Sequence, residues 1–423
     1  MPNRTQAPPI KQIHALQLPK PERYTLDNGI PVYVTNLGTQ NVVRMELVFY
    51  AGRPFEKAKL AARSTASLLK EGSKHFSSNQ IAEKMDFWGC SLGTPFNLDT
   101  SNITLHSLRK HFAKALPIIA DLLTNPLFPE QELKAFIQRN KQRLKVDLTK
   151  NDVVAYRQIT EFIFGSAHPY GYNSFADTYG QVTREVILDH FQSFYKSDNC
   201  AIFLSGKIEQ KEINVLNEQL GGILEAGTMP FKAPSVDLNT PENVKITNSD
   251  TVQTAIRIGR RLFNRNHPDY QGMYVLNTVL GGYFGSRLMA NIREDKGYTY
   301  NIYSTLDPMA LDGYFYIGSE VGNEFTEQTL TEIYKEIEIL QNELVPEEEL
   351  QMVKNYLLGN FLTMLDGPFN VNEVVKTIVT EQLNENFFEQ LIQKVQAIHS
   401  TDLLELAQRY LNPSDLWEVT VGE

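Results

Sequence analysis

The residue types that hold catalytic metals or attack substrates are thinly spread along this chain. It has eight histidines, and none lies between His14 and His75. One close pair exists, His106 and His111 in HSLRKH. A spacing of five turns their rings to different faces of a helix and to opposite sides of a strand. His168 stands before a proline in an expected loop. Each reads as an ordinary surface or structural histidine. The two cysteines, Cys90 and Cys200, form no CxxC pair. They read as small buried hydrophobes in a reducing compartment, with one long-range disulfide left open. Gly281 and Gly282 suit a tight turn at a helix end and do not follow the pattern of a phosphate loop. No nucleophile motif and no carboxylate cluster emerges.

The elements around these residues are clearer. With 423 residues, 42% apolar and 21% charged, the chain has the composition of a soluble globular protein of two or three domains. A net charge of −10 argues against non-specific nucleic-acid binding, which needs clustered Lys and Arg. No window reaches the roughly 20 apolar residues of a membrane-spanning helix, so no membrane partner is expected. The N-terminal residues lack the apolar run of a secretory signal. A cytoplasmic protein is expected; a mature exported form would look the same.

Residues 1–20 are expected to form an extended leader. Asn28-Gly29 marks a hairpin turn, and VVRMELVFYAG reads as a strand ending at Gly52. EKAKLAARSTASLLKEG, from Glu56 to Glu71, reads as a helix stopped by Gly72. SNITLHSL alternates as a strand, long helices follow, and AIFLSG reads as a buried strand. The second half repeats this plan. VQTAIRIGRRLF runs to Gly259 and an arginine as MELVFYAGR runs to Gly52 and Arg53, and a helix, PDYQGMYVLNTVLGG, follows at a comparable offset. Between the halves, residues 220–243 lose periodicity and gain Gly and Pro, as a linker does. The expected architecture is α+β, with two similar domains in tandem, 21–219 and 244–423. Each is a mostly antiparallel sheet covered by helices.

Five stretches, in order, carry a resemblance: LDNGIPVYV, AGR before the first long helix, EGSKHFSSNQIAEKMDFWGCSLG, HPYG, and LGGYFGSRLMANIREDKGYTYNIYS from Leu280 to Ser304. With these the chain resembles the pitrilysin/insulinase-like clamshell zinc peptidases, in the branch of mitochondrial processing peptidase and the short bacterial homologues. The resemblance runs from Tyr24 to about Tyr410 and implies a half-clamshell of two domains. In that family the first long helix carries H-x-x-E-H. Two histidines one turn apart grip zinc, and the glutamate activates a metal-bound water. Counted back from Gly72 and Ser73, the corresponding positions here are Arg63, Ala66 and Ser67. A further ligand glutamate is expected near Arg143 and Leu144. Arg63 has no lone pair to offer, Ala66 cannot act as a base, and Ser67 is a poor zinc ligand. The resemblance therefore implies no metal, no cofactor and no catalytic residue in this chain itself.

It also implies a retained half. Arg293 in NIRED and Tyr300 in GYTYN match the pair that reaches the substrate backbone, hydrogen-bonding the scissile carbonyl and steadying the charge that develops on it. The plainer alternative is an Arg293 surface ion pair and a core Tyr300. Arg287 is expected to fix its loop. The expected function is that of a non-catalytic subunit of a heterodimeric zinc endopeptidase, with zinc in a homologous partner and a peptide or unfolded polypeptide as substrate. A homodimer in isolation is compatible with this, and an inert structural or assembly protein is the second reading. The basic run QRNKQRLK, from Gln138, is either a solvated helix face or, with Arg63, part of an electropositive pocket.

Overall fold

The computed structural model describes residues 16–227, 240–248 and 251–423. The expected leader lies outside them up to residue 15, and so does much of the expected linker. The first half contains β1 (Glu22–Thr25), β2 (Pro31–Asn36), β3 (Val42–Phe49), β4 (Ser91–Gly93), β5 (Ser101–Leu108) and β6 (Cys200–Gly206). Their order in the sheet is β1-β2-β6-β3-β5-β4, and only the β2–β6 pairing is parallel. Asn28-Gly29 does turn β1 into β2. Gly29 sits at φ +86°, which a side-chain-free residue adopts without strain, and its N–H donates to Leu26 O at 2.9 Å.

The second half contains β7 (Asn243–Thr247), β8 (Gln253–Leu262), β9 (Thr299–Pro308), β10 (Gly313–Gly322) and β11 (Trp417–Gly422), in the order β7-β11-β8-β10-β9. Only β7–β11 is parallel. If β2 to β6 are matched in sequence with β7 to β11, the two sheet orders coincide. The repeated plan of the sequence is thus a repeated topology.

Fourteen α-helices are described. The first half carries α1 (Ala61–Leu68), α2 (Ser78–Trp88), α3 (Arg109–Thr124), α4 (Glu130–Asp147), α5 (Asn151–Phe164), α6 (Ala176–Gly180), α7 (Arg184–Phe194) and α8 (Gln210–Leu220). The second carries α9 (Tyr270–Leu280), α10 (Thr326–Asn342), α11 (Glu347–Met364), α12 (Gly367–Thr380), α13 (Phe387–Ala397) and α14 (Ser400–Tyr410). Among the described residues no helix is long and apolar enough to cross a membrane. The first helix is shorter than its sequence suggests. Leu60 takes a left-handed φ of +70°, which a leucine adopts rarely, so the helix begins at Ala61. Glu56, expected inside the helix, instead accepts a hydrogen bond from the Ala62 N–H at 2.9 Å and from the Tyr172 hydroxyl at 2.7 Å. It caps the helix from outside.

Each sheet has its own core, and two further apolar clusters join the halves. They arise because one helix of each half crosses to the other's sheet. α5 lays Ala155, Ile159 and Ile163 on Ala255, Trp417 and Val419 of the second sheet. α12 lays Val371 and Val375 on Val48, Ala201 and Phe203 of the first. This explains why β6 and β11 are buried along their whole length. A strand covered on both faces reads as a continuous apolar run. Farther along β3, the side chains on the Val48 face are charged. Glu46, 3% exposed, lies 2.8 Å from Arg44 and 3.1 Å from Lys376 of α12. Glu373 closes the group, pairing with Arg44 and lying 2.5 Å from Lys376.

Both cysteines are free and buried. His168 is buried and stacks on Phe164, a structural role as expected. His190, which sequence reasoning passed over, lies inside α7 with Nε2 3.1 Å from Ala51 O. Burial pushes its imidazole down to about 4, against an ordinary 6.5. The fold therefore prefers the neutral ring. That preference is fully present above pH 6.5 and is lost as pH falls toward 4. Denaturant titrations are expected to show about 3 kcal/mol lost across this window. A His190→Gln variant should flatten that slope.

Candidate functional site

Helix α1 carries Arg63, Ala66 and Ser67 as the sequence alignment places them. Ala66 is buried, whereas Arg63 and Ser67 are half-buried. The Arg63 guanidinium donates to Asn140 Oδ1 of α4 at 2.8 Å and to the Tyr179 hydroxyl of α6 at 3.1 Å. Its Cζ also lies 5.8 Å from the centre of the Phe96 ring. Of the α4 side chains, Asn140 is the one hydrogen-bonded to Arg63. Arg143 points to solvent, 3.5 Å from Asp147, and Leu144 belongs to the apolar core. Most of the basic run from Gln138 is exposed, a solvated face.

A zinc ion does not fit here. Arg63, Asn140, Tyr179 and Ser67 offer a fixed positive charge and neutral oxygens, with no imidazole, thiolate or carboxylate among them. Among the described residues no group of three or more His, Cys, Asp or Glu could hold a metal ion. Elemental analysis of the purified chain is expected to show no stoichiometric zinc. One tightly held metal per chain would overturn this reading of α1.

The second half presents the other candidate residues. Gly281 and Gly282 end α9 where the backbone passes close to β9. A Cβ on Gly281 would lie 2.4 Å from Ser304 N. The chain then turns through Phe284 into an irregular helical turn, Met289–Asp295, that carries Arg293. Arg287 anchors this loop through a bidentate pair to Glu349 of α11, both distances 2.8 Å. Tyr300 lies on β9, the edge strand of its sheet. It is 87% exposed, so it is not a core residue.

The Arg293 guanidinium is framed by two rings, with Cζ 4.5 Å from the centre of Phe284 and 5.5 Å from that of Tyr300. Its Nη1 is buried and has no hydrogen-bond partner. A surface ion pair, the plainer expectation, is not what holds Arg293 among the described residues. The rings hold a planar cation by cation–π contact, with no hydrogen bond to its Nη1. A buried donor without a partner is costly unless something arrives to accept from it. Phe284 was not singled out from the sequence, because its role depends on a neighbour nine residues away that only the loop brings back.

Two tandem copies of one α+β unit, the first with a helix emptied of ligands and the second with a free Arg beside an exposed Tyr, define a half-clamshell of the zinc-peptidase class. Comparison with known proteins agrees. Residues 33–164 match the model "Insulinase (Peptidase family M16)", and residues 181–357 match "Peptidase M16 inactive domain". The chain belongs to the M16 peptidase family and is a non-catalytic member of it. Among its relatives is the "Uncharacterized zinc protease YmxG" of Bacillus subtilis, 23% identical over 82% of this chain and 85% of that protein. Another is the "Non-peptidase homolog YmxG" of Helicobacter pylori, 21% identical over 84% and 82%. A solved structure of a peptidase M16 inactive domain from Pseudomonas fluorescens superposes with a TM-score of 0.88, at 22% identity, over 95% of this chain and 98% of that one.

Proposed function

We propose that this chain is the non-catalytic subunit of a heterodimeric zinc endopeptidase. It supplies Arg293 and Tyr300 to a peptide held against the zinc of a homologous partner. The observation that carries this reading is the Arg293 guanidinium, oriented by Phe284 and Tyr300 yet lacking an acceptor for a buried N–H. Burying such a group unpaired works against stability, which favours an acceptor arriving from outside. The emptied α1 explains why the chemistry would need a second chain. The branch that the sequence resembles pairs its two-domain chains in this way.

The test is reconstitution with a zinc-bearing homologue, followed by the Arg293→Ala, Tyr300→Phe double substitution. Loss of peptide hydrolysis with the complex still assembled supports the reading. Unchanged hydrolysis sinks it. A stable complex with no hydrolysis by any zinc-bearing homologue points instead to an assembly role.

A further inference from the structure

We infer that the cleft beside α1, where the family's metal site has been lost, is a binding site for carboxylate groups of an extended peptide. The inference rests on the residues of this cleft alone and does not depend on the pairing proposed above.

Arg63, Ser67 and Lys70 follow one another at spacings of four and three, a single stripe of α1 and its last turn. Ser67 and Lys70 line an open cleft of about 710 Å³, together with Phe96, Ser91, Thr94 and Arg44. Arg63 stands at the edge of this cleft, one turn before Ser67, with Cζ 5.8 Å from the centre of the Phe96 ring. Phe96 is 41% exposed, so that ring is a wall of the cleft rather than core.

The charges in this cleft do not cancel. Arg44 and Glu46 both line it, but Glu46 is held by Arg44 and Lys376, and Glu373 balances the remaining cation. That group is neutral as a whole. His106, also in the wall, is kept below its ordinary value by burial and then by Arg44. It adds no positive charge near neutral pH. Arg63 and Lys70 are the surplus. Arg63 has only an amide oxygen and a phenol as partners. Lys70 is exposed, and neither forms an ion pair among the described residues.

An arginine recruited only to brace α4 and α6 would need its hydrogen bonds and no uncompensated charge. A half-buried cation with neutral partners is more stable once an anion joins it. The guanidinium has five donors, and its two hydrogen bonds leave three that a carboxylate can accept from. Arg63 and Lys70, the latter in the turn that follows α1, are seven residues apart, roughly 10 Å at a helical rise. Same-face side chains of an extended peptide, two or four residues apart, bracket that distance at about 7 and 13 Å. The position that binds a cation in zinc-bearing relatives would here have become a fixed cation that binds an anion.

The test uses the full-length isolated chain and a dye-labelled, amide-capped peptide with two glutamates four residues apart, which an extended chain turns to the same side. Anisotropy titrations are run beside the same peptide with glutamines, and beside a glutamine peptide ending in a free carboxylate. The glutamate peptide is expected to bind about tenfold more tightly than its capped glutamine twin, with the preference fading at high salt. If only the free-ended peptide shows the gain, the carboxylate recognised is that of a chain terminus. Arg63→Gln and Lys70→Gln should each weaken the preference, and together abolish it. Lys70 is exposed and unpaired, so its variant keeps the test open if loss of Arg63 disturbs the fold. Equal binding of acidic and neutral peptides, or a preference untouched by both substitutions, overturns the inference.

Discussion

Replacing Arg293 by alanine and Tyr300 by phenylalanine is expected to lower kcat/KM of the reconstituted pair by roughly 10²–10³-fold, most of it in kcat. The magnitude follows from removing a prepositioned donor where charge builds on the scissile carbonyl. Losing one such donor elsewhere costs about 3–4 kcal/mol of barrier stabilisation. The variant should fold normally. Tyr300 is almost fully exposed, and Arg293 has no ion pair among the described residues to lose. A thermal melt unchanged within a few degrees, alongside the kinetic loss, separates a contact with substrate from a structural role. Arg293→Lys sharpens the test. It keeps the charge but not the planar fork that Phe284 and Tyr300 sandwich, so it should recover only part of the activity. Assembly measured by analytical ultracentrifugation should not change in any of these variants.

The second large effect is on stability. Glu46→Ala is expected to destabilise the chain by about 3 kcal/mol, read as a lower denaturation midpoint with an unchanged slope. Glu46 is 3% exposed and is the anion between Arg44 and Lys376. Without it, two cations at 15% and 17% exposure face each other across the junction of β3 and α12, with only Glu373 to share. The comparison that isolates the mechanism replaces Glu46 and Lys376 together by leucine and methionine. Removing both partners takes away the desolvation penalty with the attraction, so the double variant should lie well above Glu46→Ala. If Glu46→Ala proves neutral, the group is solvated and does not tie α12 to the first sheet.

Much of this was legible in the sequence, for identifiable reasons. Strands such as SNITLHSL alternate because one face meets a core and the other does not, and the Asn28-Gly29 turn has a backbone requirement that few residues meet. Arg63, Ala66 and Ser67 could be placed because Gly72 and Ser73 anchor the count only a few residues away. Asn140 could not be singled out, since its part depends on how far the Arg63 side chain reaches from α1 to α4. Leu60 at positive φ gave no signal, because nothing in a leucine predicts it. The crossing of α5 and α12 was invisible as well. Periodicity tells which face of a helix is apolar but not which sheet will cover it. The continuous apolar run of AIFLSG was the one hint that a second layer lay outside its own half. In the candidate site, residue types could identify Arg293, but the rings that hold it open required the loop in space.

The exchange of α5 and α12 bears on how the molecule is made. The sheet that receives α5 is built from residues beyond 242, so a nascent chain that has released only its first half has a helix with nowhere to dock. Ile159 and Ile163 lack their full cover until β8 and, last of all, β11 are synthesised, and β6 waits for Val371 and Val375. Completing either sheet's outer cover therefore requires both halves of the chain. A cut in the connecting segment would leave two fragments still clasped together. Because the halves are interlocked, they cannot serve as the two leaves of a hinge, so any chamber formed with a second subunit must open along the seam between chains.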